Sequence, residues 1–113
     1  AEHHERWHWF RRGLELGVPS FFSTDAIVGQ WDGESPDMAW LTILIAERSG
    51  LPVPLVLRMA TAVPADALGF GHDLGTLAPG RIADLLVVRG DPITRPRALR
   101  EVEAVYRDGD RVA

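Results

Sequence analysis

Two clusters in this chain combine residue types and spacings that could do chemistry. The first ends in a single carboxylate. Gly17-Val18-Pro19-Ser20-Phe21-Phe22-Ser23-Thr24-Asp25-Ala26 reads as a helix stop followed by a short buried strand over 18–23 that finishes at Asp25. Gly17 suits a left-handed helix end, and Pro19 cannot continue a helix. In parallel α/β folds, reactive groups collect where strands leave the packed core at their carboxyl ends. On that placement Asp25 is a candidate for metal ligation or proton transfer. The competing reading of a Thr-Asp pair after a strand is a turn or helix cap.

The second cluster is His4-Glu5-Arg6-Trp7-His8, which fits the H-E-x-x-H pattern. On a helix, histidines at i and i+4 share one face and can chelate zinc, while the intervening Glu can activate a water. A zincin-like metalloprotease is therefore one reading. It needs a third ligand on a second element, and Glu15 lies too near on the same helix. The other reading is an amphipathic helix with solvent-facing histidines.

Several elements must position these groups. Residues 2–16 are predicted helical, with Trp7, Trp9, Phe10 and Leu14 as the apolar side. Residues 26–37 form a loop, where Trp31, Asp32, Glu34 and Asp37 line either a pocket mouth or a plain surface. A second helix starts at Ser35-Pro36-Asp37, with Ser35 as N-cap and Pro36 in the first turn, and stops at Ser49-Gly50. It is apolar around much of its circumference and should pack on two sides. A third helix begins between Pro52 and Pro54 and breaks at Thr61 or Ala62. Pro64 interrupts it, and a short piece over 65–68 ends at Gly69. Beyond Gly69 the pattern is strands and turns. Ala78-Pro79-Gly80-Arg81 fits a type II turn, 83–88 and 102–106 read as strands, and Asp108-Gly109 marks a hairpin.

Composition narrows the classes. The chain has 113 residues, 46% of them hydrophobic, which is enough for one modest core. It has no cysteine, which removes disulfides, thiolate zinc sites and cysteine nucleophiles. The net charge of −4 and the absence of a basic stripe argue against nucleic acid as a partner. No run is long enough for a membrane span and no signal peptide is visible, so a cytoplasmic location is expected. Between Gly13 and Glu47 there is no basic residue, but Glu15, Asp25, Asp32, Glu34, Asp37 and Glu47 are all acidic. Such a field favours a cation, or is simply a solvated acidic loop. The chain opens on Ala1 with a helix already under way, as expected of a segment of something longer.

The order of motifs resembles the C-terminal portion of the metal-dependent amidohydrolase superfamily. Gly17-Val18-Pro19 through Ser23-Thr24-Asp25-Ala26 is similar to the family's last barrel strand, with Ser23 where Gly is usual. Residues 57–69 (Leu57-Arg58-Met59-Ala60-Thr61-Ala62-Val63-Pro64-Ala65-Asp66-Ala67-Leu68-Gly69) look like its helix pair. Residues 74–88, with Leu77-Ala78-Pro79-Gly80-Arg81-Ile82-Ala83-Asp84-Leu85-Leu86-Val87, are similar to its sandwich signature. Arg89-Gly90-Asp91-Pro92 and Val105-Tyr106-Arg107-Asp108-Gly109 fit its tail. The nearest flavour is the imidazolonepropionase-like and Xaa-Pro-dipeptidase-like branch.

The resemblance implies an α/β fold: the last helix–strand–helix part of a (β/α)8 TIM barrel, plus the C-terminal strands of a small β-sandwich, incomplete as given. Residues 1–70 would be barrel and linking helices, and 71–113 sandwich strands. It implies hydrolysis of amide or cyclic amide C–N bonds in a small-molecule substrate, with one or two divalent ions, zinc being expected. Asp25 matches the family aspartate that ligates the metal and takes a proton from water. Asp84 would be structural, accepting backbone hydrogen bonds. The H-x-H pair, the bridging Lys or Glu and the strand-end histidines of the family have no counterparts, and His72 falls in the linker. A barrel takes roughly 200 or more residues, so the segment alone should be inactive. The rest of a barrel or another chain would complete the fold. A homo-oligomer, or a non-catalytic segment that folds only by pairing with other chains, is a further expectation.

Overall fold

The structure, a computed structural model, describes residues 2–23 and 37–113, apart from the side chains of Glu2, His3, His4 and Arg6. Helix α1 spans Glu2–Glu15. Trp7 and Phe10, one turn apart, meet edge-on with ring centroids 6.1 Å apart. Trp9 does not join them. It is 69% exposed, because a residue two positions from Trp7 faces away from it on a helix. Gly17 closes α1 at φ +80. Its N–H donates to the Leu14 carbonyl and that of Val18 to the Gly13 carbonyl, both at 3.0 Å, which is the Schellman pattern.

Residues 18–23 follow as predicted in position but not as a strand: they pair with no sheet among the described residues. A strand owes its hydrogen bonds to its neighbours, and a parallel one needs such neighbours alongside it.

Helix α2 spans Met38–Arg48. Its N-cap is Asp37, whose carboxylate accepts from the Trp40 N–H at 2.6 Å, and not Ser35 as the sequence suggested. Ser49 and Gly50, the latter at φ +72, end it where expected. Helix α3 spans Val53–Met59 and α4 spans Ala62–Ala67. The break falls at Thr61, with φ −133 and ψ −82. Pro64 does not interrupt the helix. It sits in the first turn of α4, where its missing N–H would have had no helical partner. Gly75 packs into this break at φ +90, and a β-carbon there would lie 2.7 Å from Ala65 Cβ and 2.8 Å from the Thr61 carbonyl.

The C-terminal part is an antiparallel sheet in the order β1-β2-β3, with β1 Leu85–Val88, β2 Val102–Arg107 and β3 Asp110–Arg111. Leu85 pairs with Tyr106 and Val87 with Ala104, and the register shifts between Val87 and Val88. Asp108 and Gly109, at φ +50 and +84, make the hairpin turn, as the Asp-Gly dipeptide predicts. A 3-10 turn, Pro96–Arg100, connects β1 to β2 and carries the fully buried Ala98 onto α2.

The core is small. Among the described residues, Ile43 and Ile45 from α2, Val56 and Met59 from α3, Ala98 and Ala104 are the buried apolar side chains. Leu77 and Val112 stand 87% and 59% exposed, and Leu86 and Val102 also remain open to solvent. No described helix is long and apolar enough to cross a membrane.

Candidate functional site

Asp25 lies outside the described residues, as do Trp31, Asp32, Glu34, Ser35 and Pro36. The structure does show what leads to it. The Schellman closure turns the chain out of α1 and straight into 18–23. Pro19 and Phe21 then face Val63, Asp66 and Ala67 of α4 across a cleft of about 440 Å³. Ser20 donates its hydroxyl hydrogen back to the Val18 carbonyl at 3.1 Å.

The acidic field suggested by the sequence is partly neutralised. Each of its described acids has an arginine. Glu15 pairs with Arg12 at 3.1 Å, within α1. Asp37 accepts from Arg100 at 2.5 Å, and Glu47 takes both Arg97 nitrogens at 2.8 and 3.0 Å. Arg97 also lies 5.9 Å above the Trp40 ring, a cation–π distance. The Trp40 N–H above all, helped by the Arg100 guanidinium, holds the Asp37 carboxyl below the usual aspartate range against the opposing effect of desolvation. These contacts make a clamp: two arginines three residues apart on the 3-10 turn grip both ends of α2. Residues at i and i+3 of a 3-10 helix eclipse one another, which aligns the two arginines; neither the turn nor their partners, 50 and 63 residues away, was read from the sequence.

Asp84 is structural, as expected. Its carboxylate accepts from the Asp108 N–H at 2.8 Å, and the Gly109 N–H donates to the Ala83 carbonyl at 3.0 Å. The two bonds pin the hairpin turn to the entry of β1. His72 is exposed in a turn, and His8 is exposed on α1. The backbone of His4 lies in α1, one turn from His8.

Among the described residues, no group of three or more His, Asp or Glu side chains could hold a metal ion. A catalytic zinc takes about three protein ligands, so the described residues do not fit one by themselves. A second cleft, of about 370 Å³, lies between α3 and β1 and is lined chiefly by apolar groups including Leu57, Leu77, Ile82, Leu85 and Leu86.

Helices followed by a small antiparallel sheet, in this order, give a mixed α/β fold, and comparison with known proteins identifies its class. Residues 6–112 match the amidohydrolase family, and the chain belongs to that family. It is 55% identical over 80 residues to a 5-methylthioadenosine/S-adenosylhomocysteine deaminase of Syntrophobacter fumaroxidans, covering 66% of this chain and 18% of that protein. A deaminase of the same description from Desulfitobacterium hafniense is 40% identical over 75 residues, covering 66% of this chain and 17% of that one. A solved Xaa-Pro dipeptidase with methionine bound in its active site superposes with a TM-score of 0.77 at 30% identity, covering 93% of this chain and 25% of that chain. The chain thus spans about a sixth to a quarter of the length of these relatives.

Proposed function

We propose that this chain is the C-terminal part of a metal-dependent hydrolase that breaks carbon–nitrogen bonds in small molecules. In this reading α1, residues 18–23 and α2 are the last helix–strand–helix of a (β/α)8 barrel, residues 1–70 belong with that barrel, and residues 71–113 supply strands to a small sandwich. The observation that carries it is the family match over residues 6–112, a span that includes Asp25. The relatives support the reaction class. A deaminase and a dipeptidase differ in substrate, but water replaces nitrogen on carbon in both.

Asp25 is assigned a metal-ligating and proton-accepting role. Its carboxylate takes a proton from the attacking water and returns it to the leaving nitrogen. A divalent metal, zinc by preference, would supply a lowered water pKa when bound. One carboxylate is a single ligand of the roughly three required, so the remaining ligands belong to the rest of the barrel, and the segment alone is inactive. The open sheet faces and residues 18–23 fit the same reading, since they await the remainder of the protein or another chain.

The test is Asp25→Asn in the complete polypeptide. Loss of a general base and ligand predicts a fall in kcat of about 10²–10⁴-fold with reduced metal content. Full activity in Asp25→Asn would end the assignment.

A further inference from the structure

The hairpin turn brings together the parts of a covalent reaction. Asp108 and Gly109 are both exposed, and the Asp108 carboxylate has no partner among the described residues. Attack of the Gly109 amide nitrogen on Asp108 Cγ would close a five-membered ring. Gly109 has no side chain to obstruct that approach, and the space where a β-carbon would sit is open to 4 Å. The nitrogen is nevertheless engaged. Its N–H donates to the carbonyl of half-buried Ala83 at 3.0 Å, and the Asp108 N–H donates to the Asp84 carboxylate at 2.8 Å. The same dipeptide that makes the turn thus holds an unpartnered electrophile beside a tethered nucleophile.

We propose that Asp108-Gly109 is an isoaspartate-forming modification site that its two bonds to residues 83 and 84 hold in check. In the first step the Gly109 nitrogen loses its proton and bonds to Asp108 Cγ, and one carboxyl oxygen leaves as water. Water then opens the succinimide at the backbone carbonyl carbon, so the main chain runs on through Cβ and Cγ with no net change in mass. The nitrogen can attack only when its N–H leaves the Ala83 carbonyl, so the reaction proceeds through local opening of the turn. Its product carries one extra methylene in the backbone. That shifts the pairing of Arg107 with Asp110 and Tyr106 with Arg111, and β3 loses its register.

The test is incubation of the complete polypeptide at neutral pH, followed by cleavage after arginine. This releases Asp108-Gly109-Asp110-Arg111, whose isoaspartyl form separates by chromatography. A free peptide of residues 106–112 gives the unguarded rate. The parent protein is expected to react at least about tenfold more slowly than the peptide, and Gly109 amide hydrogen exchange to be slowed comparably, because both need the same N–H released. Asp84→Ala, with its fold checked by circular dichroism, is expected to react several-fold faster than the parent. Asp84→Asn keeps an accepting oxygen and is expected to stay near the parent rate. Equal rates in parent and peptide would overturn the proposal, and that comparison needs no substitution. An unchanged rate in folded Asp84→Ala, or a rate in Asp84→Asn as fast as in Asp84→Ala, would overturn it too, because the accepted bond would then not be the guard.

Discussion

Asp37 does two jobs with one carboxylate: it caps α2 through the Trp40 N–H and receives Arg100 from the far end of the chain. The two can be separated by substitution. Asp37→Ala removes both and is expected to cost about 1 kcal/mol from the lost cap, with little more from an exposed ion pair. Asp37→Asn keeps a capping oxygen and should cost less; urea denaturation of the two variants gives the difference. The charge also makes a pH prediction. The folded-state pKa of Asp37 lies below the ordinary value of 3.8, so its contribution is complete above that value and lost as pH falls through it and below. Stability of the parent chain should decline over that acid window, and the decline should be smaller in Asp37→Asn. Ser35, Asp37 and Pro36 are all residues found at helix starts, so the sequence could not separate two caps lying two residues apart. The carboxylate prevails because it accepts from the backbone at one helix end and from Arg100 at the same time.

At the scale of elements, Gly75 locks the break between α3 and α4. Gly75→Ala is expected to destabilise by about 2 kcal/mol or more, because it adds both left-handed backbone strain and a collision with Thr61 and Ala65. Gly80→Ala, at φ +84 with nothing within 4 Å, should cost only the backbone component, about 1 kcal/mol. Thermal unfolding of the pair separates crowding from conformation. Met59→Ala, which empties a fully buried position, should cost about 2–5 kcal/mol. The helices and the hairpin were legible in the sequence because their signals are local: Gly17, Gly50 and Gly69 as stops, Asp108-Gly109 as the turn. Residues 18–23 show the limit of that reading. Their composition specifies a buried strand, but a strand is completed by its neighbours, and no described segment lies alongside to complete this one. Asp25, the residue the sequence singled out for chemistry, lies outside the described residues, so its role rests on its place in the motif.

At the scale of the molecule, burial among the described residues is concentrated where α2, α3 and the 3-10 turn meet, while much of the sheet and of 18–23 stays open. The 113-residue chain by itself is therefore expected to show no hydrolase activity and to associate as its concentration rises, which light scattering can follow. The complete polypeptide should not associate in this way. The arginine clamp bears on how the protein is made. Residue 37 leaves the ribosome 63 residues before Arg100, its partner, and Glu47 precedes Arg97 by 50. α2 therefore emerges early with its core seat on Ala98 and both arginines still to be translated. A stop codon anywhere before residue 96 would expose a defect far upstream of itself: a helix translated in full but never seated.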